Sequence, residues 1–222
     1  MSTPVLAALL VVANIMGAGM IVPQVVRLHR VRSADGLSGV WVGLGIAMNS
    51  WWVAYGLAES LWGILPVSIA AAALYLVMTA QYLGLVGRVG LRPLLVGFLG
   101  LAIVPLPFLV VGGWSAAGLV VGLAYAIQFV PAAVAAVRES DLTGISSTTW
   151  VMAWIEAVIW VIYGLTSGDR ALLIGGTGGA IAAGVILVEV ARFRLLGPSI
   201  GDEDRDPPHI GTRTSIDTGE GR

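Results

Sequence analysis

The chain has 222 residues, 57% of them hydrophobic and only 11% charged, with a mean hydropathy of +0.90. Soluble domains carry about 25% charged residues, so the composition argues against an ordinary water-soluble fold and for a membrane protein. A net charge of −1 argues against an electrostatic nucleic-acid binder, and the lack of any cysteine excludes a disulfide frame, a thiolate nucleophile and a zinc-type cluster.

Met1 to Val26 carry no charge, and about 20 residues suffice to cross a bilayer. With no basic residue ahead of the apolar run, this is predicted to be a first span, about Val5 to Val26, rather than a signal peptide. An arginine-rich loop follows (Arg27, Arg30, Arg32), then a second span from Gly36 to Leu57. After a turn at Ala58-Glu59, a third span is predicted from Ser60 to about Leu85. The charge-free stretch from Pro93 to Val137 is too long for one crossing, and Gly112-Gly113 marks the break. That places spans at Pro93 to Val111 and Ala116 to Val137. Two more are predicted from Leu142 to Leu165 and from Ala171 to about Val190. The remainder is polar and rich in Pro, Gly and Asp, which predicts a disordered cytoplasmic tail.

One stretch occurs twice. Shifting Pro23–Leu57 by 108 positions lays it on Pro131–Leu165 without a gap. Arg30 then falls on Arg138, Gly36 on Gly144 and Ser38 on Ser146, and Trp52-Val53-x-Tyr55-Gly56-Leu57 falls on Trp160-Val161-x-Tyr163-Gly164-Leu165. Equivalent points lie four crossings apart, so both copies run in the same direction through the membrane. The expected fold is an all-α membrane protein of seven transmembrane helices, two parallel three-helix repeats joined by a linker helix. Its parts are residues 1–87, the linker 88–113, the second repeat 114–195 and the tail 196–222. Placing the first loop in the cytoplasm puts eleven arginines inside and leaves Arg170 alone outside. The N-terminus is then outside, the C-terminus cytoplasmic, and the chain integral to the plasma membrane.

Pro23-Gln24 near the end of the first span, then Asp35-Gly36-Leu37-Ser38, then Trp-x-x-Tyr-Gly closing the next span resemble the PQ-loop superfamily. The tandem arrangement is similar to SWEET sugar transporters, each half to a bacterial SemiSWEET, over about residues 5 to 195. The second copy departs from the motif, with Ala132 in place of the glutamine. The resemblance implies that Trp52 and Trp160 face a central cavity, with Met48 and Glu156 one turn earlier. It places Ser68 and Gly176, with Thr177 beside it, where the family carries sugar-contacting asparagines. Pro23, Gln24 and Pro131 correspond to its hinge region.

The residues carry their own argument. Glu156 sits mid-span between Trp154-Ile155 and Ala157-Val158, where a carboxylate costs about 2.5–3.5 kcal/mol even on a lenient insertion scale. It shares a helix face with Trp160 and is a candidate for substrate contact or proton coupling. Trp52 and Trp160 are either cavity walls or interfacial anchors. Asn14 is either helix glue or part of the cavity, whereas Asn49 is expected to be structural. Gly175 to Gly179 predict close helix packing.

The leading expectation is a facilitative carrier for a small polar solute, most simply a sugar, working by alternating access. It is not expected to be an enzyme, and no cofactor or metal is expected. Its partners would be the solute and the lipid bilayer, with no nucleic acid, and homo-oligomer formation stays open. Proton-coupled transport of an amino acid or other charged solute is the alternative, and a seven-helix receptor or sensor is another. With no lysine in the chain, a retinal Schiff base is excluded.

Overall fold

A computed structural model describes residues 3–139 and 141–196; the tail expected to be disordered lies outside the described residues. The described part is helical, with no strand among the described residues. Its helices are α1 (Thr3–Val31), α2 (Gly39–Ala58), α3 (Leu65–Val86), α4 (Leu91–Ala102), α5 (Leu106–Ile127), α6 (Val130–Arg138), α7 (Ser147–Ser167) and α8 (Arg170–Leu196). Five helical stretches are long and apolar enough to cross a membrane: Thr3–Val31, Trp62–Ala102, Leu106–Arg138, Ser147–Ser167 and Arg170–Leu196. α2 is also free of charge, but Asn49, Ser50 and its tryptophans make it less apolar. Large aliphatic side chains point outward along these helices, with Val110 at 85% and Val111 at 90% exposure. Such a surface suits lipid and would be a liability in water.

The helix ends show why the sequence folds as it does. Ser38 caps α2 by accepting from the Trp41 N–H, and 108 residues on Ser146 caps α7 by accepting from the Thr149 N–H. The turns before these caps match as well. Asp35 N–H donates to Ser33 Oγ at 3.0 Å, and Thr143 N–H donates to Asp141 Oδ1 at 2.9 Å. That second bond holds the Asp141 carboxyl below its ordinary range. Past the helix ends, Ser60 (φ 58°) and Gly168 (φ 72°) adopt the left-handed conformation at equivalent positions. The duplication therefore extends from residue types to hydrogen bonds and dihedral angles.

Several expected boundaries are corrected. α1 does not end near Pro23; it runs through it to Val31. The helix past Gly113 is not continuous to Val137, because it breaks at Gln128-Phe129, just before Pro131 in the first turn of α6. Proline cannot donate its backbone bond and crowds the preceding turn, and the two copies accommodate it differently. α7 begins at its Ser146 cap rather than at Leu142. The break expected at Gly112-Gly113 is present as Gly113, with φ 66° and ψ −164°, and a further interruption falls at residues 103–105.

Packing relies on close backbone approach. A Cβ on Gly43 would collide with the Leu94 carbonyl, and one on Gly97 with the Val40 carbonyl, so α2 and α4 touch backbone to backbone. Gly122 meets the Ala171 carbonyl in the same way, joining α5 to α8, and Gly176 sits on the α7 backbone. Small residues of this kind let helices associate where no hydrophobic drive exists between them. The indole N–H of Trp51 donates to the Ala102 carbonyl at 3.2 Å, satisfying a free acceptor at the end of α4.

The buried residues fall into three clusters. One, around Trp52, Tyr55, Ile64, Trp160 and Leu172, draws on α1, α2, α4, α5, α7 and α8 together, with Val67 of α3 packed against it. Near the arginine-rich loops there are two separate clusters. Leu28, Val42, Tyr75, Met78, Tyr82 and Leu94 belong to the first copy and α4, while Ala136, Leu142, Ile186 and Val190 belong to the second. The halves share one core at one end and have one each at the other. Replacing Gly97→Leu should force α2 from α4 and destabilise the protein by about 1–3 kcal/mol or more. Thermal unfolding in detergent checks this; an unchanged Tm would refute the backbone-contact account.

Candidate functional site

Between the two halves lies a cavity of about 460 Å³, within the size range of small-molecule sites. Trp41, Gly45, Met48 and Trp52 line it along one face of α2, a path of about 16 Å at 1.5 Å per residue. Ile64, Val67, Ser68, Ala71 and Tyr75 line it from the α3 side, by the same helical spacing. The cavity is buried at one end and open at the other. Ile64 is 2% exposed and Leu172 4%, whereas Trp41 at the opposite end is 44% exposed.

The buried end is closed by a reciprocal pair of tyrosine bonds. The Tyr55 hydroxyl donates to Asp169 Oδ2 at 2.5 Å, and Asp169 Oδ1 accepts the Leu172 N–H at 2.8 Å, capping α8. In the other direction, Tyr163 accepts the Gly63 N–H at 3.2 Å. Tyr55 and Tyr163 are equivalent residues of the two copies, and each reaches the residues that begin the third helix of the other.

The expected site residues are placed as follows. Trp52, Trp160, Glu156, Met48, Ser68 and Gly176 all line the cavity, and Gln24 lines it beside them. Trp52 and Trp160 are 8% and 6% exposed, whereas Trp62 is 65% exposed on the outside. The Trp160 indole N–H donates to Glu156 Oε1 at 3.0 Å, as their one-turn spacing allows. Gly17 lies against this carboxylate, where a Cβ would collide with it and with Val67. Pro23 is exposed within α1 and Pro131 exposed on α6; neither lines the cavity.

One expectation is corrected here and one open alternative is decided. Thr177 is exposed on α8 and off the cavity wall, because its neighbour Gly176 takes the inward position. Asn14 is also off the wall. Its Nδ2 donates to the Leu10 and Gly63 carbonyls at 2.6 and 3.0 Å, and its Oδ1 accepts the Val67 N–H at 2.6 Å. It therefore ties α1 to the start of α3, filling bonds that the entry into α3 leaves open. Asn49, expected to be structural, lines the cavity while its Nδ2 donates to the Gly45 carbonyl at 2.8 Å.

Sequence reasoning missed most of the aromatic wall: Trp41, Tyr75, Tyr125, Phe129 and Trp150. Tyr75 and Tyr125 were open to the argument applied to Glu156, since each carries a polar group mid-span. Edge-to-face contacts link Trp52 to Tyr125 at 6.3 Å, Tyr125 to Phe129 at 5.2 Å and Phe129 to Trp150 at 6.4 Å. No grouping of metal-binding side chains occurs among the described residues. Neither a family model nor a curated protein matches the chain.

The placement of Asn14 gives a clean prediction. Asn14→Leu should lower stability by about 0.6–1.7 kcal/mol, read as a fall in Tm, and leave ligand affinity unchanged. A selective loss of affinity at unchanged Tm would return Asn14 to the binding site.

Proposed function

We propose that this protein is a membrane carrier of the PQ-loop, SWEET-like type, moving a small polar solute by alternating access. It would cross the plasma membrane seven times as two parallel three-helix repeats around a linker, with the N-terminus outside. The observation that carries the proposal is the distribution of buried cores. A cavity bounded by one shared core at one end and two separate cores at the other has the form of one side of a rocking cycle. In this reading the Tyr55–Asp169 and Tyr163–Gly63 bonds close the outer gate, and the cavity opens toward the arginine-rich, cytoplasmic side. Closure on that side would bring the two separate cores together and release the tyrosine bonds. Rocking needs no covalent chemistry, only that each tyrosine bond be modest enough to break; a neutral bond such as Tyr163–Gly63 contributes about 0.5–1.5 kcal/mol net, and one to a charged group such as Asp169 about 1.5–3 kcal/mol.

The native chain has no cysteine, so the gate can be locked selectively. Tyr55→Cys combined with Asp169→Cys, bridged by a cleavable thiol crosslinker, should reduce uptake into proteoliposomes to background. Cleaving the crosslinker should restore it. Transport unaffected by a verified crosslink would sink alternating access through this gate. Trp52→Ala and Trp160→Ala, each removing a cavity wall, should lower uptake at least about tenfold if each loses roughly 1.4 kcal/mol of solute binding.

A further inference from the structure

We propose that the solute this cavity accepts is a small organic cation, an ammonium ion carrying an apolar body. The inference rests on the carrier reading and adds the charge of the cargo. Among the described residues, Glu156 is the one side chain on the cavity wall that can carry a full charge at neutral pH, and that wall holds no arginine, lysine or histidine. It is 5% exposed. One carboxylate oxygen accepts the Trp160 N–H, and the other accepts no hydrogen bond from the described residues. A carboxylate on a low-dielectric wall favours a countercharge in the cavity beside it, and none of the described residues lining that cavity supplies one.

The rest of the wall suits a cation. Ring faces are negative and ring edges positive, and in a series of edge-to-face contacts not every face is covered by a neighbouring ring. The file of Trp52, Tyr125, Phe129 and Trp150 has interplanar angles of 84°, 76° and 73°. Trp41 and Tyr75, centroids 5.2 Å apart, line the cavity from α2 and α3. Aromatic faces combined with a carboxylate recognise ammonium groups. An amino acid would add a carboxylate that finds no cation on this wall and meets Glu156. A sugar could use Gln24, Asn49, Ser68 and Gln128 for its hydroxyls, but it would leave the Glu156 carboxylate without a countercharge. An ammonium ion with a hydrocarbon body matches both the charge and the rings.

The test uses the full chain in proteoliposomes with an inside-negative potassium diffusion potential. Labelled tetraethylammonium and choline are the probes, beside glucose and glutamate. Saturable, potential-driven uptake of at least one cation and none of glutamate is expected. Glu156→Gln and Trp150→Leu should each reduce that uptake at least about tenfold, with protein of native Tm. Trp150 is six residues from Glu156 in the chain, so loss in both variants implicates the wall rather than one fragile position. Uptake of glucose without either cation would overturn the cationic assignment and leave the carrier standing. No uptake of any probe would overturn the assignment, and failure of the gate crosslink to alter any flux would remove the carrier reading separately. Cation uptake undiminished in both folded variants would also overturn it.

Discussion

The structure depends on one apolar core, shared by both halves and closed by two tyrosines that reach across in opposite directions. Tyr55 takes its partner from the turn leading into α8, and Tyr163 from the turn leading into α3. Each tyrosine thus anchors the opposite half, so the seal holds only while both halves stay in register. Beneath it the two clusters near the arginine-rich loops pack without one another, and the cavity occupies the space that they leave.

Glycine sets how narrow that space is. Gly43 against Leu94, Gly97 against Val40 and Gly122 against Ala171 bring helix backbones together, a spacing that side chains would prevent. Volume withdrawn from the helix interfaces lets bulky aromatic groups fill the wall instead. Gly17 does the same for charge: the missing side chain on α1 is what gives the Glu156 carboxylate room beside Trp160. Backbone groups at helix ends are filled locally by Ser38, Ser146 and Asp169 and, across to α4, by Trp51.

How much of this was legible in the sequence followed from how local the signal was. The break near Gly113 was legible from paired glycines, and the shared face of Glu156 and Trp160 from their one-turn spacing. The duplication was legible from aligned residue types without a gap, whereas the inward position of Trp52 came only from the resemblance. The polar role of Asn14 was not legible, because its partners Gly63 and Val67 lie some fifty residues away. The aromatic file was equally opaque: Trp52, Tyr125 and Trp150 come from three helices, and no period within one segment brings them together. Thr177 was assigned inward by its neighbourhood, but a shift of one residue on a helix turns a side chain by about 100°, enough to leave the wall. Proline misled for a different reason. Pro23 and Pro131 read identically, yet α1 continues through the one and the chain is broken just before the other.

That last difference has a mechanical meaning. Where two identical chains pair to form one pathway, both arms carry the same sequence and must share one stiffness. Fusion of the copies into a single polypeptide removes this restriction. Here one arm has become an uninterrupted strut and its counterpart a jointed limb, with the joint at Gln128-Phe129 beside the cavity. Two copies that carry the same proline can thus differ in helix continuity within one chain.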